Sequence, residues 1–564
     1  MTPALLINAV SAVACLGYVL FCLLNQSALR QSFIFGSYYF LTVLVILWFL
    51  SLVNTLRPLV RNNQIFLRKM LWIACLSLAA LGVVVKTVPI QLKIFNDEVR
   101  LLSVSKSMIE ERRCDSVSSA VNHGGKIHVL KRQIEKRSLL FPYLAHALHA
   151  VRGYHINNVY AVNLAAAFFI LLAVGASVVY FAGSVWWGIA SVFLMLSHPV
   201  FSVSATSGGM EMVNLLFWVV SFLALDLFLN KREELYFRLL VLSLILLGHS
   251  RYESILEFLI IAGLLLAAKL IKLDFFRRSP VYAAVPWFFL PILFQRWLKL
   301  NSQEPLSVGA PFGLSYFFQN NRIFLKSLFR FDLGVNSLIN ALGVVALIFL
   351  AVGFFRRRGS LDIRAKCLFA AIFTSAAAFW VVVTAYYAGA IEGRFSARLF
   401  FPHLLLFCVA LIYLVRSLSG DKKRPAVLFC VASVALAVLY FPLAAQNVGV
   451  QESYFRMNYE DTLRLVRQHP DKDSVYICTL PEYLLTNGYS AVSFEFARKN
   501  KSMIMNLMRQ GIITKLLAIQ SVNIKSGHVS TVTRLPKYLQ NKERLTEVQK
   551  NASAKFVLTR VDIK

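Results

Sequence analysis

Residues 157–205 read NNVYAVNLAAAFFILLAVGASVVYFAGSVWWGIASVFLMLSHPVFSVSA, without a single Asp, Glu, Lys or Arg. A bilayer's hydrocarbon core takes about 20 apolar residues of helix. This stretch is therefore long enough to cross twice, over 156–182 and 185–205. The rest of the chain has the same character. Its 564 residues would otherwise imply three or four soluble domains of about 150 residues each. Hydrophobic residues make up 58%, charged residues 15%, and mean hydropathy is +0.63. A soluble protein carries roughly 25% charged residues, so most of this surface faces something other than water. Disorder, collagen, coiled coil and a disulfide-rich scaffold are excluded together, leaving a polytopic α-helical membrane protein.

Outward from that stretch, about thirteen spans are expected: 4–24, 34–55, 70–90, 156–182, 185–205, 211–229, 235–249, 254–272, 281–298, 336–355, 367–388, 399–416 and 425–443. The first lacks a basic n-region and a small-residue cleavage site, so it reads as a retained helix and not a signal peptide. Lys and Arg number 59 against 28 for Asp and Glu, a net charge of +31. No basic stripe with interleaved aromatics accompanies that charge, so nucleic acid is not an expected partner. The basic residues fall in alternate short loops instead. Clusters at Arg57–Lys69, Lys231–Arg238, Lys269–Arg278, Arg356–Lys366 and Arg416–Arg424 all lie on one side, which the positive-inside rule makes cytoplasmic. Their expected partner is the lipid bilayer.

The N-terminus is then cytoplasmic, and the long segments lie opposite: about 91–155, 299–335, 389–398 and the tail 444–564. The tail changes character. DSVYICTL, KLLAIQSV and KFVLTRVDI read as strands, and SMIMNLMRQGI has helical spacing. Two domains follow: a transmembrane module over 1–443 and a soluble α/β domain over 444–564. Of eight cysteines, Cys114 and Cys478 alone fall outside the spans, and they could pair if both face an oxidising compartment. No CxxC spacing occurs.

The third span runs into VPIQLKIFNDEVRLL (88–102), which sets Asp97 and Glu98 just beyond the outer face. Two readings are open. The pair is solvated, with Asp97 capping a helix over 98–109, or one carboxylate has a raised pKa and accepts protons. Downstream come RSLLFPYLAHALHAVRGYHINN, SHPVFSVSATSGGMEMVNLLFW, LLGHSRYESILEFL and AYYAGAIEGRFSARLFFPHLLLF, each near an outer span end. Arg394 and Arg398 open a span there, suited to phosphate by their planar forks or else snorkelling to headgroups. Arg251 and Arg137 are secondary phosphate candidates, and snorkelling explains Lys86. Glu211, after Gly208-Gly209, and Glu253 suit sugar hydroxyls or a helix N-terminus equally. His146 and His149 are three residues apart, so they share a helix face that fits either a zinc ion or simple interfacial packing. Asp471 and Asp473 read as a turn.

Taken in order and on one side, this series resembles the GT-C superfamily of membrane glycosyltransferases. Bacterial relatives of the protein O-mannosyltransferases and the lipid A aminoarabinose transferase are the nearest match. The resemblance covers roughly residues 70–416; three spans precede the acidic pair where most members have one, and the tail is long and basic. It implies a polyprenyl-phosphate sugar donor used at the periplasmic face of the bacterial inner membrane, with inversion at the anomeric carbon. The acceptor is a hydroxyl on an envelope glycan, lipid or protein. Asp97 matches the superfamily's catalytic carboxylate, with Glu98 orienting it or sharing a divalent ion. Tyr143, in the FPYL segment, joins Glu211 and Glu253 as a substrate contact. No cofactor is required by these motifs, although a divalent metal fits them. The competing class is a transporter or flippase for envelope glycolipids, which would place its charges at the bilayer midplane.

Overall fold

A computed structural model describes residues 2–61, 64–93, 95–123, 126–300, 310–329, 336–391, 396–420, 422–451, 457–469, 474–549 and 554–563. The chain divides into two compact units: Met1–Gln91, Lys136–Leu144 and Val159–Val448 form one, and Leu92–Glu135, Ala145–Asn158 and Gly449–Lys564 the other.

The first unit is helical. Among the described residues, ten helices are long and apolar enough to cross a membrane, from Pro3–Leu24 to Lys423–Tyr440. An eleventh is added if Val185–Leu196 and Pro199–Ala205, bent by 79° at their junction, count as one span. Proline has no N–H to continue the ladder, so the bend falls at Ser197-His198-Pro199. The other two expected spans are shorter than 18 residues: Glu234–Ser250 has 17 and Ile255–Ala267 has 13. Arg251 is extended between them (φ −149°), and Lys269 takes a left-handed backbone (φ +54°) that ends the second well before residue 272. The segment expected as a plain loop at 299–335 contains a helix, Leu314–Ser327. Asn320 fastens it by donating to the carbonyls of Thr384 and Tyr386 at 2.8 and 2.9 Å.

Close packing joins these helices. A Cβ at Gly343 would sit 2.3 Å from Phe407 Cβ and 2.8 Å from its Cα. The Ser337–Arg357 and Phe401–Ser419 helices thus meet through a glycine, as membrane helices commonly do. Gly343→Ala is expected to cost about 1–3 kcal/mol by overpacking, read as a lower unfolding temperature in detergent. An unchanged midpoint would show that the helices separate freely. Arg364 adds a charged tie, donating to both carboxylate oxygens of Asp226 at 2.7–3.0 Å.

The second unit is built on a seven-stranded sheet, ordered β2-β1-β4-β3-β5-β7-β6. The strands are β1 Ser116–His123, β2 Lys126–Gln133, β3 Ser474–Cys478, β4 Ser490–Ser493, β5 Lys515–Asn523, β6 Leu539–Gln549 and β7 Ala554–Ile563. β3 lies parallel to β4 and β5, and the outer pairings are antiparallel. β3 is buried along its whole length. Tyr476 and Cys478 face one apolar cluster with Leu517 and Leu558, while Val475 and Ile477 face another with Val492 and Leu516. A strand covered on both faces reads as a continuous apolar run, which is why SVYIC was legible. The sheet nevertheless draws β1 and β2 from the loop after the third apolar helix, so the soluble unit is not the tail alone. Cys114 and Cys478 are both buried free thiols. Burial pushes the Cys478 thiol up to about 12.

Candidate active site

In the sheet-bearing unit, the helix Phe95–Glu111 carries Asp97 and Glu98 in its first turn. Neighbouring helical residues point about 100° apart, and the two carboxylates divide accordingly. Glu98 is 1% exposed and accepts the Lys93 backbone N–H at 2.6 Å. It satisfies a donor at the helix entry. Asp97 is half-buried and remains the more accessible of the pair.

Residues from the tail and from the first loop gather acids around that turn. Burial, then the charges of Glu98, Glu482 and Asp97, push the Tyr459 hydroxyl above its ordinary range. Tyr459 therefore stays protonated. Gln133 donates to Glu482 and to Glu135, each at 3.2 Å, and Ser116 donates to Glu135 at 3.1 Å. Arg100 lies 3.8 Å from Glu135. Burial raises the Glu482 pKa, making it a further group able to hold a proton. Sequence reading missed Tyr459, Glu135 and Glu482. Glu482 follows Pro481, three residues past the end of β3, and that position just beyond a buried strand was the available signal.

His149 is engaged by its neighbours. Asn158 donates to His149 Nδ1 at 2.8 Å, so the ring proton lies on Nε2, 3.2 Å from Ser105 Oγ. Both nitrogens are in use, and among the described residues no group of three or more His, Cys, Asp or Glu side chains is placed to hold a metal. Burial lowers the His146 pKa and brings His149 down to about 4. Below the ordinary value near 6.5, the unfolded chain takes up a proton that folded His149 refuses. Stability should therefore fall as pH drops from about 6.5 towards 4. His149→Gln should flatten that acid limb in unfolding temperatures recorded across the range.

In the helical unit, four of the residues singled out from sequence meet. Arg398, in a 3-10 turn over Ala397–Phe400, donates through Nη1 to Glu211 Oε1. Arg251 Nη1 lies 3.9 Å from the same oxygen, and its Nε and Nη2 are 3.4 Å from the carboxylate of Glu253. Glu211 is 3% exposed, and its Oε2 has no hydrogen-bond partner among the described residues. Local structure sets this up. Asn163 donates to the carbonyls of Ser207 and Gly209, both at 2.7 Å, fixing the turn that places Glu211 at its helix start. Asn214 ties Ser250 to Ser254 across Arg251, at 2.9 Å each. Behind them, Arg296 stacks 3.3 Å over the ring of Tyr252, and Glu257 is buried.

The remaining candidates separate. Arg394 and the Asp471–Asp473 turn lie outside the described residues. Arg137 is half-buried, its carbonyl accepting from Gln295 at 2.8 Å. Tyr143 is 7% exposed, packs 6.1 Å from Tyr38 and hydrogen-bonds Thr42. Lys86 is exposed at a span end, as snorkelling requires.

The apolar helices and the sheet-bearing α/β unit make up a fold shared with two solved structures. The chain is similar in fold to ArnT from Cupriavidus metallidurans in the apo state, with a TM-score of 0.54 and 13% identity over 87% of this chain and 97% of that one. It is also similar to ArnT of the same organism bound to undecaprenyl phosphate, with a TM-score of 0.51 and 13% identity over 86% and 98%. No family model and no curated protein sequence matches the chain.

Proposed function

We propose that this protein is an inverting glycosyltransferase of the inner membrane. It moves a sugar from a polyprenyl-phosphate donor to a hydroxyl of an envelope glycan, lipid or protein. The observation that carries the reading is the placement of Asp97, half-buried in the first turn of the Phe95–Glu111 helix, beside a Glu98 that is buried and accepts a backbone N–H. Asp97 takes the proton of the acceptor hydroxyl. The acceptor oxygen then bonds to the anomeric carbon as the bond from that carbon to the phosphate oxygen breaks, and polyprenyl phosphate leaves with the electron pair. Such a base contributes typically about 10²–10⁴-fold.

The leaving phosphate calls for cations. Arg398 and Arg251, oriented by Glu211 and Glu253, are the guanidiniums assigned to it, and Arg394 is assigned with them from its place in the EGRFSAR motif. Arg137 is a further phosphate candidate. The structural neighbour carrying undecaprenyl phosphate supports this choice of donor. The five basic loops support an arrangement with the N-terminus cytoplasmic and the 444–564 domain periplasmic.

The test is sugar transfer by purified protein in detergent, with a panel of labelled polyprenyl phosphate sugars and a crude envelope acceptor fraction. Release of free polyprenyl phosphate with one donor identifies the sugar. No release with any donor, alongside movement of intact glycolipid across proteoliposomes, would replace the transferase with a flippase.

A further inference from the structure

The helical unit carries a half-open cavity of about 800 Å³ whose walls are almost wholly apolar, with Val178, Phe222, Leu350, Phe369 and Val409 among them. Charge is confined to one end, where Asp226, Arg356 and Arg357 line it. Asp226 is neutralised by Arg364. Arg356 and Arg357 have no acidic partner among the described residues, so that end is net positive. It is also remote from the Glu211 cluster. Glu211 and Asp226 stand fifteen residues apart on one helix, about 22 Å at 1.5 Å per residue.

An apolar space this large does not stay filled with water, which needs polar partners, and its volume is in the range of small-molecule sites, about 300–1,000 Å³. We infer that it is a second lipid site, occupied by an anionic glycerophospholipid. One acyl chain fills the apolar cavity, and the phosphate rests on Arg356 and Arg357. Charge complementarity chooses an anionic headgroup over a zwitterionic one.

Gly353 lines the cavity, and a Cβ built there meets nothing within 4 Å. A bulky residue at 353 therefore occupies the chain's space without displacing a helix. The experiment compares phosphatidylglycerol with phosphatidylcholine of matched chains on detergent-purified protein, by native mass spectrometry and thermal shift. Wild type is expected to retain phosphatidylglycerol roughly tenfold more tightly. Arg356→Gln/Arg357→Gln should bring the two lipids level, and Gly353→Phe should release both while the lipid-free unfolding temperature holds. Equal retention by wild type, or an unchanged preference in either variant, identifies ordinary boundary lipid and overturns the proposal. Displacement of phosphatidylglycerol by equimolar polyprenyl phosphate would assign the cavity to the carrier lipid instead.

Discussion

Asp97→Asn should lower kcat for sugar transfer by about 10²–10⁴-fold, the loss expected when a positioned base can no longer take a proton. The substitution keeps the size of the side chain and removes its basicity. Asp97 is half-buried, and the helix entry is held by Glu98, which accepts the Lys93 N–H. Unfolding temperature should therefore stay within a degree or two of wild type, and the KM for donor should hardly move. A variant retaining more than a tenth of the rate would exclude Asp97 as the base. Glu98→Gln is the control that separates the neighbours. It should cost stability of about 1 kcal/mol through the weakened cap and leave the rate largely intact.

The second large effect lies at Glu211. Its Oε1 accepts from Arg398 and lies 3.9 Å from Arg251, with the side chain 2% exposed. Removing one member of a buried ion pair strands the other, typically at about 3–5 kcal/mol. Glu211→Gln should accordingly cause a large drop in unfolding temperature and in expression. Arg398→Gln should also destabilise, because it leaves Glu211 with only the more distant Arg251. The double variant tells stability from function. Glu211→Gln/Arg398→Gln should regain part of the lost stability, since neither charge is then orphaned, yet the KM for the donor should stay raised with one phosphate-binding guanidinium gone. Additive losses in the double variant would mean that the two residues do not act as a pair.

What could be read in advance follows from which forces act locally. Apolar spans announce themselves because lipid demands about 20 consecutive residues, and the basic loops between them carry their own signature. The far end of the span after Arg251 was misjudged, at 272 against Ala267, because apolar content continues where the backbone stops being helical. Glu211, Glu253, Arg251 and Arg398 stood out one by one, as charges at span ends. No periodicity could show that Glu211 lies against Arg398, 187 positions later. The hairpin β1–β2 was hidden for another reason. SVSSAVNH is too polar to look like an interior strand, yet it is largely buried, its hydroxyls satisfied by neighbours such as Glu135 and the Gln133 carbonyl. Glu482 and Tyr459 belong to the same class, made significant only by what folds against them.

The pairing of Ala120 with Ala491 bears on how the protein is made. β1 leaves the ribosome long before β4, with most of the helical unit synthesised between them. Until then its edge is an unpaired row of backbone donors and acceptors, the kind of surface that recruits wrong partners. The acid-bearing helix next to it waits as well, because Leu485, whose carbonyl accepts from Lys106 at 2.9 Å, arrives equally late. Nascent chains stalled before β4 should thus be proteolysed between residues 92 and 135 even when their membrane helices are already in place. A nonsense codon just before β4 would thus disable chemistry encoded nearly four hundred codons earlier, at Asp97.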